Sequence, residues 1–129
     1  MAYLKPGVVT RRIFNPLAMR LGAFGTSTLV VRRRRSGGEQ TVPVIPLEHE
    51  GARYIVSTRG ESDWVRNLRA AGGGELRRKG AAEAFTVTEL PLEERPPVIA
   101  AYRAKVGREV QTYFEKLPDP ADHPVFRLA

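Results

Sequence analysis

Four consecutive arginines, Arg32-Arg33-Arg34-Arg35, run directly into Ser36 and Gly37. Forked guanidinium donors, a hydroxyl and the exposed backbone N–H groups of a glycine turn are what a phosphate or carboxylate needs from a protein. On a strand, alternation lets at most half of these arginines face one ligand. The same run also reads as a solvated strand end that blocks edge-to-edge aggregation. A second cluster is Ser57-Thr58-Arg59-Gly60, followed by Asp63-Trp64-Val65-Arg66-Asn67. Polar groups where a strand gives way to a helix N-terminus hold an anion or the edge of a ring system. The competing reading is a capped turn with Trp64 as a core aromatic.

Other chemistries lack their residues. There are no cysteines, which removes thiolate catalysis, disulfides and the usual structural zinc sites. His49 and His123 have no ligand spacing, so no metal is expected and both read as exposed loop residues. Ser36 has no histidine nearby to activate it. Glu93 and Glu94 read as first-turn helix charges. Gly72-Gly73-Gly74 follows a helix instead of opening one, so it is no dinucleotide loop. Arg77-Arg78-Lys79 reads as a solvated strand end or as an extension of an anion-binding surface.

Lys+Arg total 21 against 14 Asp+Glu, a net charge of +7, and most of the cations are arginine. That bias suggests an anionic partner: nucleic acid, a membrane surface or a phosphorylated cofactor. A nucleic-acid binder interleaves aromatics with its cations, and Arg32 to Gln40 holds none, so no nucleic-acid partner is expected. The apolar stretch Leu29 to Val31 is far too short for a signal h-region or a membrane span. The expected location is cytoplasmic, without stable membrane insertion, and with peripheral membrane contact left open.

The elements that must position these groups follow from pattern. A chain of 129 residues is one domain, 1–129, able to bury roughly two-thirds of its unfolded surface. Residues 1–27 read as an arm and a helix entered through Asn15-Pro16, with Leu17, Met19, Leu21 and Phe24 as its apolar surface, lidding the core. Within 28–129, strands are expected at Leu29–Arg33, Thr41–Leu47 (interrupted by Pro43 and Pro46), Arg53–Ser57, Glu75–Lys79, Ala84–Leu90 and Val125–Leu128. Ser36–Gln40 and Glu50-Gly51 supply turns. Helices are expected from Ser62 or Asp63 to Ala71, with Trp64 and Leu68 on one face, and over Pro96–Val106 and Arg108–Leu117. Antiparallel strands with a helix inserted after the third make a small α+β barrel.

Several of these pieces form an ordered set. Arg34-Arg35-Ser36-Gly37 is a basic pair, a hydroxyl residue and glycine, and Pro43 follows that glycine by six residues. A Gly-turn hairpin then leads to Thr58-Arg59-Gly60. Trp64 to Ala70 reads Trp-x-x-Asn-Leu-Arg-Ala, and His123-Pro124-Val125-Phe126 stands near the C-terminus. From about Thr28 onward the set resembles the deazaflavin-dependent nitroreductase family, relatives of the split-barrel flavin proteins.

The resemblance implies an α+β split β-barrel of mainly antiparallel strands, with an inserted helix and flanking N- and C-terminal helices. It implies an oxidoreductase whose cofactor is the reduced 8-hydroxy-5-deazaflavin, coenzyme F-420, an anion with a phosphodiester and an oligoglutamate tail. Hydride would pass from its ring to a nitroaromatic, quinone or similar conjugated acceptor. Arg34, Arg35, Ser36, Gly37 and Arg59 would hold phosphate and tail carboxylates. Gln40, Thr41, Val42, Pro43, Val44 and Ile45, then Val56, Ser57 and Thr58, then Asp63, Trp64, Val65, Arg66 and Asn67 would line the ring and ribityl region. Tyr113, with Tyr102, would close the substrate pocket. Gln40 stands where many relatives carry arginine, and Ile45 and Val65 where aromatics are common. FMN is the alternative cofactor, and the alternative function is a non-catalytic split barrel binding FMN, haem or lipid. The expected partners are the anionic cofactor and a small hydrophobic acceptor, with a homodimer left open.

Overall fold

The computed structural model describes residues 25–129, so the expected N-terminal arm and Asn15-Pro16 helix lie outside the described residues. Seven strands follow one another as β1 (Ser27–Arg32), β2 (Glu39–Val44), β3 (Leu47–His49), β4 (Ala52–Val56), β5 (Gly73–Arg78), β6 (Ala81–Glu89) and β7 (Val125–Leu128). Helix α1 (Asp63–Ala71) lies between β4 and β5, and α2 (Arg95–Lys105) and α3 (Arg108–Lys116) lie between β6 and β7. The strands form one antiparallel sheet in the order β2-β1-β5-β6-β7-β4-β3.

Its curl comes from β6. Residues Ala81 to Thr86 pair with β5, whereas Val87 to Glu89 pair with β7. One nine-residue strand therefore serves both halves, and the sheet bends around its own inner face. The expected strand Thr41–Leu47 is two strands, β2 and β3, parted at Ile45-Pro46. Pro46 is buried and has no N–H to give a ladder. The break carries the chain from one edge strand of the sheet directly to the other, which leaves a half-barrel split between β2 and the β3–β4 hairpin.

Alternation fills the inside. Leu29 and Val31 of β1, Leu76 of β5, Phe85 of β6 and Phe126 and Leu128 of β7 pack with Val44 and Ile55 around α1. Helix α1 plugs the curl with Val65 and Leu68, both 0% exposed. The expected Trp64–Leu68 face does meet this core, with Val65 added to it: Leu68 is buried in the cluster and Trp64 packs against it half-buried beside Phe126, ring centroids 6.5 Å apart. A second core, including Val56, Val98, Ile99, Tyr102, Phe114 and Val125, seats α2 and α3 on the outer side.

The triple glycine divides its labour. Gly72 ends α1 in the left-handed region, φ 75°, and its N–H donates to Leu68 O. Gly73 and Gly74 already belong to β5, where a Cβ would collide with the backbone oxygens of Phe85 and Val30. Gly73→Ala must push β5 off β6, an overpacking cost of about 1–3 kcal/mol. Urea unfolding reads it. A loss below about 0.5 kcal/mol, the scale of an ordinary surface change, would mean that the strands do not approach this closely.

Candidate cofactor site

The split between the sheet edges is a cleft of about 380 Å³, lined by Val42, Pro43, Val44, Ile45, Val56, Thr58, Arg59, Ser62, Trp64, Tyr102 and Tyr113. Pro43 is tolerated because β2 is an edge strand. Beyond β4 the chain turns sharply. Ser57 N–H donates to Pro124 O at 2.9 Å, the Ser57 hydroxyl to Gly60 O at 2.7 Å, and Ser62 N–H to the same Gly60 oxygen at 2.8 Å. Gly60 holds φ 83° there, a conformation that favours glycine. Ser57 is consumed in closing the turn, and Thr58 and Arg59 are presented outward. Across the cleft, Arg59 Nη2 donates to Tyr113 Oη at 2.6 Å, and its guanidinium carbon lies 4.8 Å from the Tyr113 ring centroid.

A smaller recess of about 170 Å³ opens beside it, lined by Arg33, Arg34, Arg35, Ser36, Asp63 and Asn67. The N-terminal half of α1 borders both, Ser62 and Trp64 facing one and Asp63 and Asn67 the other. The β1–β2 loop closes through Arg33 N–H to Gly38 O at 2.7 Å and Gly37 N–H to Arg33 O at 3.0 Å, with Gly37 at φ 79°. Ser36 Oγ accepts from Gly38 N–H at 3.1 Å. The N–H groups of Arg35 and Ser36 make no hydrogen bond among the described residues, and the Arg35 side chain is exposed. Loop amides and cations turned to solvent in this way form a concavity suited to an anion.

Arg34 is held differently. Its backbone N–H and its Nη1 both donate to Asn67 Oδ1, at 3.0 and 2.7 Å, and Nη1 also reaches Asp63 Oδ1 at 3.0 Å. Asn67, 1% exposed, donates in turn from Nδ2 to Gln40 Oε1 at 2.7 Å. Gln40 therefore orients Asn67, and Asn67 pins the arginine loop onto α1. Six residues of the expected site line neither cavity: Gly37, Gln40 and Ser57 hold the loops and helix that frame them, Thr41 is exposed, Val65 is wholly inside the core, and Arg66 is exposed on α1. Ser62 and Arg33 join the lining without having been expected there; Ser62 had been read as a helix cap, yet its side chain makes no capping bond.

Tyr102 lies against the cleft while buried in the second core. Burial pushes its hydroxyl up from the ordinary 10.0 to about 12, so it keeps its proton at any physiological pH. The unfolded chain releases this proton first as pH rises, so stability should fall between about 10 and about 12. Alkaline titration of the phenolate absorbance in wild type and Tyr102→Phe, followed alongside unfolding, checks it. An ordinary phenolate transition for Tyr102 in the folded protein would place its hydroxyl in open water.

His123 departs from expectation. It is 1% exposed instead of lying in an exposed loop, because both ring nitrogens meet backbone carbonyls, of Ser57 and Leu117. His49 is half-buried beside Tyr54. Arg77 and Arg78 are also more engaged than a solvated strand end: Arg77 pairs with Glu75 and Glu39, and Arg78 donates to Thr26 O. Among the described residues no group of three potential metal ligands occurs, and no helix is long and apolar enough to cross a membrane.

Comparison with known proteins follows the same lines. The family model of the F420H(2)-dependent quinone reductases matches residues 9–117. No curated protein matches the chain. A protein of unknown function from Agrobacterium tumefaciens superposes with a TM-score of 0.63 at 20% identity, over 96% of this chain and 58% of that one. The chain thus spans little more than half the length of that relative. A FAD-binding protein from Mesorhizobium loti gives a TM-score of 0.58 at 14% identity, over 89% and 88% of the two chains. An F420-H2 dependent reductase gives 0.50 at 21% identity, over 81% and 93%. At these identities the likeness is one of fold, the α+β split barrel.

Proposed function

The chain belongs to the F420H(2)-dependent quinone reductase family, and from that premise we propose that it binds the reduced 8-hydroxy-5-deazaflavin coenzyme between β2, β4 and α1 and reduces a quinone, nitroaromatic or similar conjugated acceptor there. One observation carries the reading: an apolar cleft sized for a small molecule runs alongside a loop of arginines and unpaired amides, with Arg59 at the rim. The donor set fits a planar ring with an anionic tail. Val42, Val44, Ile45, Val56 and Trp64 wall the cleft against water. Arg59, Arg35 and the Ser36–Gly37 turn offer charge-assisted bonds to phosphate and carboxylate oxygens.

When bound, the reduced coenzyme supplies the hydride. The chain supplies position. Tyr102 holds a proton at its hydroxyl and Tyr113 borders the same cleft, so both can donate a hydrogen bond to an acceptor oxygen. Among the described residues neither is aligned with a general base, which suits chemistry carried by the coenzyme. FMN is the alternative cofactor, since the fold is similar to that of a FAD-binding protein. Fluorescence titration separates the two: coenzyme F-420 should bind more tightly than FMN, because the cations exceed what one terminal phosphate engages. Equal or tighter FMN binding would overturn the cofactor assignment.

A further inference from the structure

The hairpin between β5 and β6 carries Arg77-Arg78-Lys79-Gly80, a run of cations that the coenzyme cleft does not use. Its two turn residues both hold left-handed backbone, Lys79 at φ 50° and Gly80 at φ 81°, the two-residue turn that matches the twist of its strands. Beside it the chain enters β1 through Thr26-Ser27-Thr28. The two segments border a cavity of about 460 Å³, lined from Thr26 to Thr28 and from Arg77 to Ala82. Among the described residues no carboxylate lines it, in contrast to the arginine recess, which contains Asp63. Sheet register sets its donors side by side. Thr28 pairs with Arg77 and Arg78 with Ala81, so Arg78 meets Ser27 at the end of the ladder. Alternation turns both toward the inner face, the side of Leu29 and Leu76.

These groups are not equally committed. Arg77 is answered by Glu75 and Glu39. Arg78 donates from one nitrogen, Nη1, to Thr26 O at 2.6 Å, and among the described residues neither Arg78 nor Lys79 pairs with a carboxylate. The N–H groups of Lys79 and Gly80 make no hydrogen bond among the described residues. Ser27 is the sharpest sign. It lines the cavity, is 3% exposed, and its buried hydroxyl has no hydrogen-bond partner. A buried polar group in that state calls for one, and a serine hydroxyl can donate to an oxyanion. We propose that this cavity is a second anion site, taking a phosphate group on Ser27, Arg78, Lys79 and the amides of the Lys79-Gly80 turn. Its volume far exceeds what inorganic phosphate fills, so the ligand is a phosphate ester, presented by a soluble molecule or by a phospholipid headgroup. The six residues of β1 set this site about 17 Å from the arginine loop. It shares no lining residue with the cleft or the recess, and it stands independently of the coenzyme reading.

Amide NMR of the whole chain reads the site directly. Inorganic phosphate, glycerol phosphate and phosphatidylglycerol vesicles are titrated in turn, each against sodium chloride of equal ionic strength. The amides of Ser27, Thr28, Lys79 and Gly80 should shift, or broaden with vesicles, and saturate. A tighter response to glycerol phosphate identifies a soluble ester and a tighter response to vesicles a headgroup; both support the site. Arg78→Ala and Lys79→Asn, whose asparagine tolerates the left-handed turn, should each weaken the responding ligand about tenfold, the loss of one charge-assisted bond. Both should leave coenzyme F-420 binding within about twofold of wild type. Ser27→Ala should weaken the ligand about three- to tenfold without loss of folding stability, since the hydroxyl it removes has no partner in the free protein. Arg59→Ala should leave these amide shifts unchanged. Silence in all three titrations overturns the proposal, as does chloride shifting the four amides as strongly as phosphate. Unchanged affinity in Arg78→Ala overturns it too. Shifts confined to Arg35 and Ser36 would put the phosphate in the arginine recess and overturn it as well.

Discussion

Arg59→Ala should weaken binding of coenzyme F-420 about 10- to 150-fold, the equivalent of losing one charge-assisted hydrogen bond worth about 1.5–3 kcal/mol. Arg59 is the cation best placed for this. It projects from a turn held by Ser57 and Gly60, at the rim of the cleft, and among the described residues its one side-chain partner is the Tyr113 hydroxyl. Among the described residues no carboxylate pairs with it, in contrast to Arg34, which Asp63 already engages. Arg59→Lys should recover only part of the affinity, since an ammonium keeps charge but loses the fork and the flat stacking on Tyr113. Folding stability should hardly change, because the side chain is exposed. Arg78→Ala is the matched control: its guanidinium reaches Thr26 O beside a separate cavity, and binding should stay within about twofold of wild type. If the two alanine variants bind the coenzyme alike, the anion does not sit at Arg59.

What the sequence made legible is what local pattern encodes. The strand Val125–Leu128 is where alternation put it, and Arg95–Lys105 and Arg108–Lys116 lie within one residue of the helices expected from apolar spacing. The site clusters, separated by some twenty residues, do converge around α1, although the role of each residue in binding awaits test. Long-range partners were out of reach. Nothing in the pattern of Thr41–Leu47 says that Pro46, more than Pro43, ends the strand; the difference is that Pro43 lies along a free edge and Pro46 inside the second half of the fold. Gly73 and Gly74 read as part of a helix stop because their reason is a neighbour's backbone, Phe85 and Val30, brought in by sheet order. His123 failed for the same reason. A histidine beside Pro, Asp and Ala looks solvated until Ser57, 66 residues away, offers a carbonyl. Arg34 looked like a ligand contact and is first an internal one, because helix α1 sets Asp63 and Asn67 one turn apart directly beneath the loop.

That internal contact gives the second large effect. Asn67→Ala should cost about 2–3 kcal/mol of stability, because it strands the half-buried Arg34 N–H and the Gln40 side-chain oxygen together. It should also weaken coenzyme binding, since among the described residues the side-chain bonds that tie the loop carrying Arg35 and Ser36 to α1 are then those to Asp63. Asn67→Asp separates the contributions. A carboxylate still accepts from both Arg34 donors, and Gln40 can turn its amide to donate where it formerly accepted. The aspartate variant should therefore keep more than half of the stability that the alanine variant loses, at the price of a like charge four residues from Asp63. Urea unfolding of both variants, with coenzyme titration alongside, reads the two effects separately. Equal losses for Ala and Asp would show that neither the Arg34 bonds nor the volume of the side chain contributes, and that the amide N–H given to Gln40 carries the effect. A loss of stability without any loss of binding would show that the loop finds its ligand-ready shape unaided, and the arginine run would then be a surface feature instead of a prepared anion site.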